Sequence, residues 1–136
     1  MIKIGLIGCG VVSKRYASVF KKENIKNAKV LAICDINENR AKERADELGA
    51  SYYFDIEKMI SSEKLDLVFV LTLSGLHYEH AKILLQNGIH TVVEKPLALR
   101  IEHAEELKAI ANKNNLLLGV VFQNRFNSAV KYVKSF

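Results

Sequence analysis

Six short apolar runs punctuate the chain, at residues 2–7, 30–34, 51–54, 65–71, 90–94 and 116–122. Between them, residues 11–22, 37–48, 55–61, 77–87 and 100–114 place apolar side chains at helical spacing, and residues 128–136 open one more such segment. Runs that are apolar throughout, rather than alternating with polar residues, belong to strands covered on both faces. Strands that alternate with helices pair in parallel, because each helix carries the chain back to the start of the next strand. The expectation is an α/β fold. It is a doubly wound, mainly parallel six-stranded sheet of order 3-2-1-4-5-6 with helices on both faces. Local signals agree: Asn37 stands where a helix N-cap belongs, and Gly49 where a helix stops.

The chain is 136 residues long, 49% hydrophobic and 26% charged, which suits a globular domain of ordinary size. No apolar run approaches the ~18–20 residues of a membrane helix. The glycines at 5, 8 and 10 and the pair Lys14-Arg15 fit a signal peptide poorly. Cys9 and Cys34 make no CxxC pair, and the four histidines are scattered, so neither a disulfide framework nor a metal site is expected. A reducing, cytoplasmic location follows. The net charge of +5 resides entirely in residues 1–27, and the charges beyond balance. That is one basic helix face rather than a nucleic-acid groove.

The residues with chemical potential cluster where strands end. Gly8-Cys9-Gly10-Val11-Val12-Ser13 follows the first strand and opens the first helix. In that context the first glycine makes the tight turn and the second lets backbone approach a pyrophosphate. Ser13 supplies the small residue needed for helix–sheet packing, and the helix N-terminus faces the phosphates. Asp35 closes the second strand, where a carboxylate accepts hydrogen bonds from ribose hydroxyls and repels a 2′-phosphate. NAD is thus favoured, with NADP possible because Arg40 stands nearby. After the fourth strand, Thr72 and Ser74 offer hydroxyls to ribose or phosphate, and His77 opens the next helix, as a cap or a ligand contact. Glu94-Lys95-Pro96 ends the fifth strand. Alone it reads as a surface turn; in the crevice, Lys95 would polarise a substrate hydroxyl.

Together, GCGVVS, CDIN, LTLSGLHYEHA and above all VVEKPLAL resemble the Gfo/Idh/MocA oxidoreductases over the whole chain. The resemblance implies a Rossmann domain and NAD(P)-dependent hydride transfer at a carbinol carbon of a sugar, polyol or nucleotide sugar. It implies pyrophosphate contacts from Gly8, Gly10, Val11 and Val12, and an adenosine pocket at Asp35 and Ile36. Thr72, Leu73 and His77 would flank the nicotinamide ribose. Glu94 and Lys95 would form the catalytic motif, with Lys95 beside the reacting carbon, and Gln123 and Arg125 would line the nicotinamide pocket. Residues 1–122 would be the dinucleotide-binding domain, and 123–136 the start of a connection toward a C-terminal substrate domain. On this reading the chain is one half of a longer homo-oligomeric enzyme and is inactive alone. A non-enzymatic dinucleotide-binding or redox-sensing module is the alternative. The sequence departs from the family pattern in lacking proline within residues 72–74 and at Ser128.

Overall fold

The computed structural model describes residues 1–22 and 25–136. Its strands are β1 (Ile2–Ile7), β2 (Ala28–Cys34), β3 (Ser51–Tyr53), β4 (Leu67–Val70), β5 (His90–Glu94) and β6 (Leu118–Val121). They form one sheet of order β3-β2-β1-β4-β5-β6, parallel throughout. The helices are α1 (Val11–Lys22), α2 (Glu38–Leu48), α3 (Ile56–Ser62), α4 (His77–Gln86), α5 (Ile101–Lys113) and α6 (Ser128–Lys134). The expected order and orientation are borne out. Strand ends are the main difference: β4 and β6 are each shorter at both ends than their apolar runs, because the flanking residues leave the ladder for loops.

Two apolar layers sandwich the sheet. On one face Ile4 and Leu6 of β1 and Val30 and Ile33 of β2 pack against Ala45 of α2 and Tyr16 and Phe20 of α1. On the other, Val68 and Val70 of β4 pack against Met59 of α3, Leu84 and Leu85 of α4 and Leu107 of α5. Each fully buried leucine of that second layer is worth about 1.5–3 kcal/mol. Asn37 caps α2 by accepting from the Arg40 N–H, and Gly49 ends it in the left-handed region at φ 64°.

The spacing of α1 groups Val12, Tyr16, Val19 and Phe20 on one side, yet the helix buries Ser13 and Ala17. Small side chains let the helix axis come close to the sheet. The large ones sit at its flank, where Tyr16 and Phe20 pack against the edge of the core and all four line a groove. Helix α6 buries none of its residues, and Val130, Val133 and Phe136 are exposed.

Register decides where the site lies. Ile7 of β1 pairs with Cys34 of β2 and with Val70 of β4, and Val70 pairs with Val93 of β5. Gly8, Asp35, Leu71 and Glu94 therefore reach the same end of the sheet. Between β2 and β4, where the strand order reverses about β1, the connections diverge to opposite faces and leave a crevice.

Candidate functional site

The glycine turn is the tightest point of the crevice. Gly8 sits at φ 95°, and a Cβ there would lie 2.8 Å from the Leu71 carbonyl carbon and oxygen and from the Thr72 nitrogen. Its N–H donates to the Cys34 carbonyl at 2.8 Å, so the turn is wedged between the ends of β2 and β4. At Gly10 a Cβ would meet nothing within 4 Å. The first glycine is thus demanded by the fold, whereas the second leaves bare backbone toward open space. The N-terminus of α1 follows at once, with no acidic residue in its first turn to oppose an anion. Ser13 is buried beneath and donates its hydroxyl to the Gly10 carbonyl at 2.7 Å, tying the turn to the helix.

Asp35 braces the same turn from β2. One carboxylate oxygen accepts the Cys9 N–H at 2.6 Å, and the other accepts the Asn37 N–H at 2.8 Å. Each oxygen has lone-pair capacity left for a further donor. Burial, and secondarily the Asp35 charge, push the Cys9 thiol up to about 12. The Cys34 thiol is likewise pushed up to about 12, by burial first and then by Asp55. Both thiols stay protonated and free, so the loop cysteine is packing rather than a nucleophile.

A cavity of about 380 Å³ opens over this turn, lined among others by Gly8, Gly10, Asp35, Ile36, Thr72 and Leu73. Arg40 and His80 line it too. A larger cavity of about 530 Å³ shares Val11 and Val12 with it and reaches Glu94, Lys95, Gln123 and Tyr16. The N-terminus of α1 is the partition between them. An elongated ligand with an anionic middle and two ring-bearing ends suits this pair of cavities, and the open backbone at Gly10 leaves room for the anionic part.

Most of the residues singled out by sequence line one cavity or both. Four do not. Ser13 lies beneath the turn, Ser74 is exposed in a 3-10 turn before α4, and Arg125 is exposed with its guanidinium 5.2 Å from the Phe122 ring centroid. His77 is 1% exposed, at the start of α4 beneath the crevice floor. Its Nδ1 lies 2.6 Å from the Pro96 carbonyl oxygen and its Nε2 2.9 Å from that of Thr72. Ring N–H donors here clasp the loop after β4 to the loop after β5; a neutral ring has one to give and the imidazolium two.

Reasoning from sequence missed His80 and Tyr16 as site residues. His80 follows His77 by three positions, so it shares the same helix face, and its Nδ1 is 3.0 Å from the Thr72 hydroxyl. Burial lowers its proton affinity; Glu79 opposes this in part, and His77 adds a smaller push in the direction of burial. The sign of the linkage follows. The unfolded chain takes up a proton at the ordinary histidine value while the folded chain resists it. Stability is therefore held above that value and declines as pH falls toward the depressed one. Thermal melts from about pH 7.5 to about 5 are expected to show this decline, and His80→Gln to flatten it.

Among the described residues no helix is long and apolar enough to cross a membrane, and no three His, Cys, Asp or Glu side chains gather to hold a metal ion.

Comparison with known proteins bears on this crevice. The model of the GFO_IDH_MocA family, described as an oxidoreductase family with an NAD-binding Rossmann fold, matches residues 2–122. The scyllo-inositol 2-dehydrogenase (NADP(+)) IolW of Bacillus subtilis is 32% identical over 134 residues, covering 98% of this chain and 36% of that protein. The D-glucoside 3-dehydrogenase of Escherichia coli is 33% identical, covering 92% and 36% respectively. A crystal structure of the WlbA dehydrogenase from Chromobacterium violaceum in complex with NADH and UDP-GlcNAcA superposes with a TM-score of 0.94 at 30% identity, covering 98% of this chain and 39% of that one. The chain thus spans little more than a third of the length of these relatives.

Proposed function

Because the chain belongs to the GFO_IDH_MocA oxidoreductase family, by its NAD-binding Rossmann fold, we propose that its crevice is the cofactor half of a carbohydrate dehydrogenase. The protein of which it forms this part would transfer a hydride between the nicotinamide and a carbinol carbon of a sugar, polyol or nucleotide sugar. The observation that carries the reading is the paired glycine geometry. Gly8 is closed to any side chain, Gly10 is open to the cavity, and the Asp35 carboxylate is fixed beside them.

The dinucleotide supplies the hydride chemistry when bound. The protein's own contribution is placement. The backbone at Gly10 and the N–H groups of Val11, Val12 and Ser13 would hold the pyrophosphate. The free lone pairs of Asp35 would accept ribose hydroxyls, with Ile36 and Arg40 flanking the adenosine, and Thr72 and Leu73 would line the opposite wall. Glu94, Lys95 and Gln123 border the second cavity, where the nicotinamide end belongs. The exposed Lys95 ammonium would orient the oxygen on the reacting carbon, and a base from elsewhere in the protein would take the hydroxyl proton.

Two further parts of this reading rest on coarser support. Residues 1–122 would form the dinucleotide-binding domain and 123–136 the connection toward a substrate domain; the Gln123–Phe126 turn and α6 stand apart from the sheet in keeping with that. Two buried free thiols favour a reducing, cytoplasmic setting, and a homo-oligomer is proposed for the whole protein.

Calorimetry tests the core claim. The chain is expected to bind NAD more tightly than NADP, since the Asp35 charge repels a 2′-phosphate. Asp35→Ala should weaken NAD binding about 10- to 100-fold, the range for hydrogen bonds to a charged group. Wild-type chain that binds neither dinucleotide would overturn the proposal.

A further inference from the structure

We propose that Tyr16 of α1 is a positioning residue for the Glu94–Lys95 turn, and that through this turn it sets the affinity for the nicotinamide-bearing end of the cofactor. The inference rests on the functional reading above and assigns a role to a residue that the reading does not use.

The geometry begins at β5. Glu94 is its last residue, and its carboxylate is held from two sides. One oxygen accepts the Tyr16 hydroxyl at 2.8 Å, across 78 residues of sequence, and the other accepts the N–H of Lys95 at 3.2 Å. The carboxylate is therefore a splint. It couples α1, whose first turn opens at the glycine loop, to the backbone of the residue that carries the ammonium. The ion pairs among the described residues are Arg44–Glu47, Lys82–Glu106 and Arg100–Glu102. Glu94 does not capture the Lys95 ammonium, which stays exposed at the rim of the larger cavity.

Tyr16 is itself fixed. Its ring meets Phe69 of β4 edge-on, with centroids 5.4 Å apart and planes at 60°, and Phe20 leans on the same Phe69 at 6.0 Å. The aromatic cluster anchors the ring, and the hydroxyl makes its hydrogen bond to Glu94. Burial, reinforced by the bond to Glu94, raises the proton affinity of the phenol, so the hydroxyl remains a donor across the working pH range. Tyr16, Glu94, Lys95 and Gln123 line one cavity, and none of the four lines the cavity at Asp35. A change at Tyr16 should therefore be felt at one end of a dinucleotide and not at the other.

Tyr16→Phe keeps the ring and its packing and removes only the hydroxyl. The measurement is calorimetric titration of the chain with NADH and, separately, with ADP-ribose, which shares every part of the cofactor except the nicotinamide. The expected result is an NADH affinity lowered about 5- to 10-fold, an ADP-ribose affinity unchanged within about twofold, and a retained cooperative melt. Glu94→Ala should reproduce the loss, and the double variant should lose no more than Glu94→Ala alone, because both substitutions cut one link. Parallel weakening of both ligands, no weakening of either, or additive losses in the double variant would overturn the positioning role. If the wild-type chain binds ADP-ribose and NADH, the cofactor reading stands whatever Tyr16 does; if it binds neither, that reading falls and this inference with it.

Discussion

Gly8→Ala is expected to cost about 3 kcal/mol or more of folding stability, lowering Tm by roughly 10 °C or more. Two penalties combine. At φ 95° an alanine is strained whatever its surroundings, and the new Cβ would stand 2.8 Å from the Leu71 carbonyl group and the Thr72 nitrogen. Those neighbours are backbone at the end of β4 and cannot swing aside as a side chain would. Either β1 and β4 separate or the turn rebuilds, and the Gly8 N–H bond to Cys34 goes with it. Gly10→Ala is the informative contrast. Its Cβ meets nothing within 4 Å, so Tm should stay close to wild type while NAD affinity falls, because the methyl occupies the approach to the backbone. Thermal melts and calorimetry on the two variants separate the folding role of one glycine from the binding role of the other. Equal Tm losses in both would refute that division.

His77→Leu carries the second large effect. Leucine matches the imidazole roughly in bulk but donates no hydrogen bond, so the Pro96 and Thr72 carbonyls lose their shared partner, a ring that is itself 1% exposed. The hydrogen bond that a neutral ring gives is lost from a half-buried place, and a stability loss of about 1–3 kcal/mol is expected. Because those carbonyls belong to the loops after β4 and β5, which carry Thr72 and Lys95 to the two cavities, NAD affinity should fall as well. Urea unfolding provides the check: a lower midpoint with an unchanged slope reports lost stability in an otherwise intact fold. A midpoint equal to wild type would mean that the loops hold together without the clasp.

The sheet was legible in the sequence because its signals are redundant. Apolar runs, helical spacing, Asn37 and Gly49 all pointed to the same alternation, and six strands with a glycine turn after the first match the doubly wound dinucleotide order. The Gly8–Ser13 turn and Asp35 were legible for a similar reason: glycine, small residue and acid each stand at a position where one residue type does the work. What stayed hidden depends on tertiary distance. Helical spacing marks Tyr16 as apolar-faced, but only packing reveals that Ser13 and Ala17 take the buried side and that the Tyr16 hydroxyl finds a carboxylate on β5. His77 is conspicuous as a histidine at a helix start, yet its partner, the Pro96 carbonyl, is 19 residues away and is not a side chain at all. The role of His80 stayed hidden, although its spacing of three from His77 was visible, because that role comes from a neighbouring hydroxyl and from burial, which spacing does not disclose.

The double engagement of Asp35 carries a consequence for anyone wishing to retune the domain toward a phosphorylated ribose. The charge that discriminates between cofactors is also the brace of the glycine turn, through the Cys9 and Asn37 N–H groups. Selectivity and loop order are therefore inherited together. A substitution that removes the side-chain oxygens along with the charge, as alanine does, also unfastens the loop that every dinucleotide needs. Successful redesign has to keep a side-chain oxygen at position 35, as Asn or Ser would, and supply the new cation from Arg40 or its surroundings.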